Sequence, residues 1–311
     1  YHLKEGIEAA GDEAVIVNEN MSGPTVEGEM TPTAPMAAMF GYGGDKQMHH
    51  TKGRRRELAN NCRAKNIPLI TFDGGLLSSF GNVSTSPDHH FRVSLYTPMN
   101  DGNFLSENSP SDRWEMLVKK FNVKYEPWRK SDPSDPIIFV MQPKDNWSMN
   151  ELDPIDWFKG VYEKLRPITN RKFIVRPHPN NVSNILEREK ELPSDVEIQY
   201  TKKHFVGDEK KYYRFHFQDV ITNCHAVVTH NSTASVDSCI RGIPTFVTSD
   251  LAICWPVANT NLEDIENPKY PDRTQWLNDL GYMMWSIDEI RSGKVYSRFR
   301  NKILESNLIS L

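Results

Sequence analysis

Ala226-Val227-Val228-Thr229 runs without a break into His230-Asn231-Ser232-Thr233, and Ala234-Ser235-Val236-Asp237 follows before Arg241-Gly242-Ile243-Pro244. A short apolar run without polar alternation reads as a strand buried on both faces, and small polar residues directly after it open a helix. That is one strand-to-helix step of a parallel sheet. The step recurs on either side: residues 137–141 (IIFVM), 172–176 (KFIVR), 196–200 and 245–248 (TFVT) read as strands. Helical stretches at 155–165, 182–191, 217–223 and 233–240 separate them. Alternation of this kind predicts a doubly wound α/β sheet.

The first part of the chain follows a looser version of the same pattern. Helices are expected at 2–10, 51–65 and 111–121, the last with Ser111 as N-cap, and strands at 14–17, 37–42, 68–72 and 91–96. Gly41–Gly44 and Asp73-Gly74-Gly75 mark turns. An open α/β domain begins with a strand and this chain begins with a helix, so a first strand is expected upstream of Tyr1. Residues 18–35, rich in Gly, Pro and Thr, read either as an acceptor loop or as disorder. Residues 124–135 (KYEPWRKSDPSD) read as an interdomain linker. Beyond Thr248 two helices, 272–284 and 286–306, have no strand partner and are expected to pack back across the junction. The expected division is 1–123, a linker at 124–135, 136–270, and terminal helices at 271–311.

With 311 residues, 38% of them hydrophobic and 25% charged, the chain exceeds one compact domain of roughly 100–200 residues. Its longest apolar stretches, 34–42 and 244–249, fall short of the about 20 residues that span a bilayer, and no signal peptide opens it, so a soluble cytoplasmic protein is expected. Cys62, Cys224, Cys239 and Cys254 lack any CxxC spacing and read as buried thiols rather than a zinc site or a disulfide framework. Against a net charge of −4, residues 46–65 carry seven Lys/Arg and one acid, with His49 and His50 among them. Six basic residues also fall between Arg113 and Lys130. Such runs either solvate a helix face or make a one-sided surface for a polyanion.

Two motifs carry chemistry. Free N–H groups and the Ser232 and Thr233 hydroxyls at a helix start suit a phosphate, and the carboxyl end of a strand is where open α/β sheets bind ligands. Taken alone, the pair could equally be an ordinary cap. Arg176-Pro177-His178-Pro179 closes another strand. Its prolines fix the backbone so that a guanidinium and an imidazole are presented at the same sheet edge.

The RPHP element, followed about fifty residues on by VVTHNSTASVDS and RGIP, resembles the nucleotide-sugar half of two-domain glycosyltransferases of the GT-B arrangement. It is most similar to capsule-type sugar transferases and to a phage-encoded group. Ser111-Asp112-Arg113-Trp114, Pro127-Trp128-Arg129, Asn146-Trp147-Ser148-Met149 and Trp285-Ser286-Ile287-Asp288-Glu289-Ile290 resemble the phage group. The resemblance spans about residues 111–299 and implies two Rossmann-like doubly wound domains with a cleft between them. It implies donor contacts by Gln142, Trp147, Arg176, His178, His230, Asn231, Ser232 and Thr233, although Trp147 could equally be core. No cofactor is required, and metal is optional, with no DxD triplet present. A carboxylate must take the proton of the acceptor hydroxyl if the anomeric centre inverts. Asp73, followed by two glycines that leave room for a substrate, is the first candidate and Asp101 the second. Arg54, Arg55, Arg56, Arg92, Asn100 and Asn103 are expected on the acceptor side.

The function expected from this set is transfer of a sugar, UDP-linked glucose or arabinose, to 5-hydroxymethylcytosine in phage duplex DNA by a monomer in the infected host. Lys and Arg at 46–65 would meet the DNA phosphates, and the flipped base would sit near His89, His90 and Phe91. A surface-polysaccharide sugar transferase is the alternative. A nucleotide-binding module without catalysis is the alternative of another class.

Overall fold

The computed structural model describes residues 1–16, 32, 34–42, 54–77, 89–178, 182–199 and 221–305. The chain forms two compact units, Lys124–Arg273 and, around it in sequence, Tyr1–Val123 with the stretch from Thr274 onward.

The inserted unit, Lys124–Arg273, holds the strands β4 (Ile137–Val140), β5 (Phe173–Arg176), β6 (Val196–Ile198), β7 (Ala226–Thr229) and β8 (Thr245–Val247). All pair in parallel, in the order β6-β5-β4-β7-β8. Ile137, Phe139, Phe173, Val175, Ala226, Val228 and Phe246 are fully buried, as the unalternating apolar runs require. The helix α4 (Pro154–Leu165) starts where the sequence dictates, because Asp153 caps Ile155 and Asp156 and Pro154 occupies the first turn. α5 (Val182–Glu187) and α6 (Ala234–Ile240) complete the described helices here. The helix expected at 182–191 stops at Glu187 and resumes only as a 3-10 turn, Glu189–Glu191. Of that expected at 217–223, the described part is the 3-10 turn Ile221–Asn223.

The expected linker is no free connector. Glu126 and Arg129 donate backbone N–H groups to the carbonyls of Ile240 and Gly242, and the Trp128 indole donates to Pro271 at 2.7 Å. Gly242 has φ +68°, and any Cβ there would collide with the Pro127 carbonyl, so the glycine of RGIP is required by backbone approach. Arg273 stacks 4.0 Å over the Trp128 ring and donates to the carbonyls of Cys239 and Glu126.

The other unit is built on a four-stranded described sheet of β1 (Ala37–Phe40), β2 (Leu69–Gly74), β3 (His90–Leu95) and β9 (Met284–Ser286). Only β1 and β2 run parallel, while β2–β3 and β3–β9 are antiparallel. The expectation of a second doubly wound parallel domain is therefore corrected. β3 runs back along β2 in antiparallel register, Asp73 opposite Arg92 and Phe72 opposite Val93. Two further expectations fail here. Ala14–Ile16 forms no strand, with Val15 88% exposed, and Val17 lies outside the described residues. The terminal helices do have a strand partner, since Met284-Trp285-Ser286 adds β9 beside His90–Arg92.

α1 (His2–Ala9), α8 (Ile287–Arg291) and α9 (Lys294–Glu305) cover one face over Ile70, Phe72, Val93, Leu95 and Trp285. The single helix expected at 286–306 breaks at Gly293, where φ is +80° and a side chain would meet the Gly6 carbonyl. α2 (Arg54–Ala64) packs Ala59 and Cys62 against Met39 and Leu69. α3 (Asp112–Phe121) lies against α7 (Thr274–Met283). Ser111 stands at the start of α3, but its hydroxyl makes no capping bond.

The buried Arg113 guanidinium joins these terminal elements. It pairs with both oxygens of Glu289 (2.5 and 3.1 Å), donates to the carbonyls of Gly281 and Met284, and lies 4.0 Å over Trp285. Burial works to raise the Glu289 pKa, but the Arg113 hydrogen bonds and charge overcome it and hold the carboxyl at about 2. An unfolded glutamate titrates near about 4.3, so this pair stabilises the fold above that pH and the contribution is lost as pH falls toward 2. Arg113→Met is expected to cost about 3–5 kcal/mol in urea unfolding at pH 7 and to flatten the loss of stability on the acid side. An equal acid-side slope in both proteins would show that Glu289 does not carry it.

Candidate functional site

The order β6-β5-β4-β7-β8 reverses its winding between β4 and β7, and all five strands end on one edge. At such a reversal the loops diverge and leave a crevice. The residues at this edge are Gln142 after β4, Arg176 to His178 at the end of β5, His230 to Thr233 after β7, and Thr248 after β8. All eight expected donor contacts thus fall at the edge or on the turn after β4.

Their side chains do different work. Gln142 and Asn231, 5% and 3% exposed, face each other across the reversal. The Gln142 amide donates to Asn231 Oδ1 and Ser148 Oγ, each at 2.7 Å, and accepts from the Asn231 backbone N–H at 3.1 Å. Asn231 Nδ2 donates to the Ser148 carbonyl at 2.7 Å. The two amides are spent on each other and on the β4 turn, so they shape the edge rather than reach beyond it. Trp147 opens the short 3-10 turn Trp147–Met149, capped by Asn146, and is half-buried rather than core. Arg176 lies 3.5 Å from Gln199 Oε1, and burial lowers its pKa. His178 is partly exposed.

α6 begins at Ala234, with Thr233 exposed at its N-cap and making no side-chain capping bond. Ser232 Oγ accepts from the Ala234 N–H at 3.3 Å. The Thr233 hydroxyl thus stands at the edge without serving the helix.

Thr248 and Trp157, which belong to no motif in the sequence, both orient His230. The Trp157 indole donates to Thr248 Oγ1 at 2.8 Å, and Thr248 Oγ1 lies 2.9 Å from His230 Nδ1. An indole can only donate, so the hydroxyl accepts from it and keeps its own proton to give to Nδ1. A ring that takes that proton carries its own on Nε2. Burial lowers the His230 pKa, so the ring stays neutral below the ordinary histidine value of about 6.5. Long-range 15N NMR of the ring is expected to show the Nε2–H tautomer. Trp157→Phe should admit the Nδ1–H form, and a native Nδ1–H tautomer would refute the relay.

In the other unit the expected acceptor residues separate into two groups. Asp73 ends β2 in register with Arg92, and its Oδ2 accepts from Arg92 Nη2 at 2.9 Å while Oδ1 accepts from the Gly74 N–H at 2.7 Å. A Cβ at Gly74 would meet nothing within 4 Å, but Gly74 alternates with Asp73 along β2, so that space lies on the other face of the sheet. Gly75 leaves none, because the His90 carbonyl lies 2.6 Å from where its Cβ would stand. Arg55 reaches this edge beside Gly41, at the start of α2, and Arg56 is partly buried on the same turn. Arg54 opens α2.

Asp101, Asn100 and Asn103 lie in the loop after β3, beside Leu69 at the opposite end of β2 from Asp73. Asp101 accepts from the Thr97 hydroxyl and stands 3.6 Å from Arg63 at the far end of α2. Asn103 Oδ1 accepts from the Leu105 N–H within its own loop. The grouping of Asp101, Asn100 and Asn103 with Asp73 and Arg92 is corrected by the antiparallel register of β3, which carries the following loop away. Of the aromatics expected at a flipped base, His89 packs on Phe91 (4.5 Å) and His90 on Phe121 (5.2 Å). Lys46, His49, His50 and Lys52 lie outside the described residues. Among the described residues no helix is long and apolar enough to cross a membrane.

No protein-family model matches the chain, and no curated protein matches it. Among solved structures it is similar to the β-Kdo 2,4 transferase of Thermosulfurimonas dismutans KpsC, with a TM-score of 0.54 and 17% identity over 90% of this chain and 85% of that one. The β-Kdo 2,7 transferase of the same protein matches at a TM-score of 0.42 and 13% identity, over 85% and 99% of the two chains. The first likeness is one of fold.

Proposed function

We propose that the protein is a glycosyltransferase that takes a sugar from a nucleotide donor held by the carboxyl edge of the five-stranded sheet. The observation that carries this reading is the placement of Arg176, His178, His230, Ser232 and Thr233 around the winding reversal, in a fold shared with a sugar transferase. Backbone N–H groups at Ser232 and Thr233 and the neutral His230 Nε2–H suit a leaving diphosphate, which they would neutralise by hydrogen bonds as its charge develops. Arg176 adds a formal positive charge at the same edge. Asp73 takes the acceptor proton.

The acceptor favoured by the fold likeness is a surface glycan. A second reading, 5-hydroxymethylcytosine in duplex DNA, is supported by Arg55 and Arg56 on the turn of α2 nearest Asp73, where they would meet DNA phosphates. Incubation with UDP-sugars and either acidic oligosaccharides or hydroxymethylated duplex DNA, followed by mass analysis, separates the two. A sugar adduct on either acceptor names it, and absence of adduct and of UDP release refutes the transferase. Asp73→Asn is expected to lower kcat at least about 100-fold with donor affinity unchanged. A kcat within twofold of the native value would remove Asp73 as the base.

A further inference from the structure

The polar face of the β2–β3 pair holds an unsatisfied cation. The Arg92 side chain is 9% exposed, and a single hydrogen bond, from Nη2 to Asp73, accounts for it. Nε and Nη1 are buried and, among the described residues, have no hydrogen-bond partner. An arginine presents five N–H donors in a fixed fork, and a buried donor left unmade costs about 1–3 kcal/mol. Arg113 shows what this chain does when an arginine has only a structural task, since its Nε, Nη1 and Nη2 all find carbonyl or carboxylate partners. Arg92 instead keeps two of its three nitrogens unpaired among the described residues near the end of β2, where Asp73 holds the guanidinium in place. His89 Nδ1, just before β3, is a further buried atom at this same end without a partner among the described residues.

From this we infer that Arg92 is the centre of an oxyanion site in the Asp73 unit, taking one carboxylate or phosphate oxygen on Nε–H and another on Nη1–H or the second Nη2 proton. The ligand is a small molecule carrying such a group. A 9% exposed guanidinium between strands gives a broad polyanion surface little to touch. Asp73 fixes the orientation of the fork and sets the affinity low, because its own charge stands beside the incoming anion. The site requires no transferase activity, so its failure and that of the proposed function are separate results.

The test follows the Arg92 Nε–H resonance of the full chain in 1H–15N spectra, assigned by its absence in Arg92→Lys. Inorganic phosphate, glucuronate and glucose are titrated at constant ionic strength. The resonance is expected to move, saturably, with phosphate or with glucuronate and to ignore glucose, and whichever of the two anions binds identifies the oxyanion. Asp73→Asn, which removes the opposing charge while keeping the shape, is expected to tighten that binding at least threefold. Arg92→Gln is expected to abolish the corresponding heat in calorimetry. An Nε–H resonance indifferent to both anions in the native protein and in Asp73→Asn, or one that responds equally to glucose, overturns the site.

Discussion

Gln142 and Asn231 tie together the two loops that diverge where the winding of the five-stranded sheet reverses. A parallel sheet that reverses its winding sends the chain away in opposite directions from two neighbouring strands, here β4 and β7. That leaves a gap at their carboxyl ends with no helix to close it. The two side-chain amides bridge the gap with both donors and acceptors, almost completely out of water. In such surroundings a paired amide is worth keeping and a half-paired one is expensive, so the turn after β4 and the start of α6 are fixed relative to one another. His230, Ser232 and Thr233 take their places at the edge from that constraint.

Several residues that look like chemistry in the sequence prove to be joinery. Arg113, Trp285 and Glu289 lie in the stretches that carry the resemblance, and they clasp β9 and the terminal helices to α3. Trp128, Arg129 and Gly242 do the same for the chain that enters the inserted unit. Both clasps use an arginine stacked on a tryptophan ring and hydrogen-bonded to backbone carbonyls, a geometry lysine cannot reproduce. Arg92 has no such set of partners, and the contrast with Arg113 marks it as a different kind of residue.

The inserted unit was legible because its strands are unalternating apolar runs of four or five residues, each followed by polar helix starts. Period and punctuation agree there, and residues 137–141, 172–176 and 226–229 fall within one residue of β4, β5 and β7. The other unit was harder for definite reasons. β9 has three residues between two helices, too few to display a period. The antiparallel return of β3 follows a connection whose length says nothing about direction, so Asp101 could not be separated from Asp73. Asp153 with Pro154, and the Ser286–Glu289 capping box, start their helices by local chemistry alone. The Trp157–Thr248–His230 relay joins residues 91 and 18 positions apart and left no local signal.

The proposed seat of the nucleotide donor is the carboxyl edge of β4, β5 and β7. A crystal structure of the protein with UDP tests it most directly. The diphosphate oxygens are expected about 2.7–3.1 Å from backbone N–H groups at Ser232 and Thr233, with His230 Nε2 or Arg176 in contact. UDP bound away from this edge, or no UDP in the structure at saturating concentration, would contradict the account.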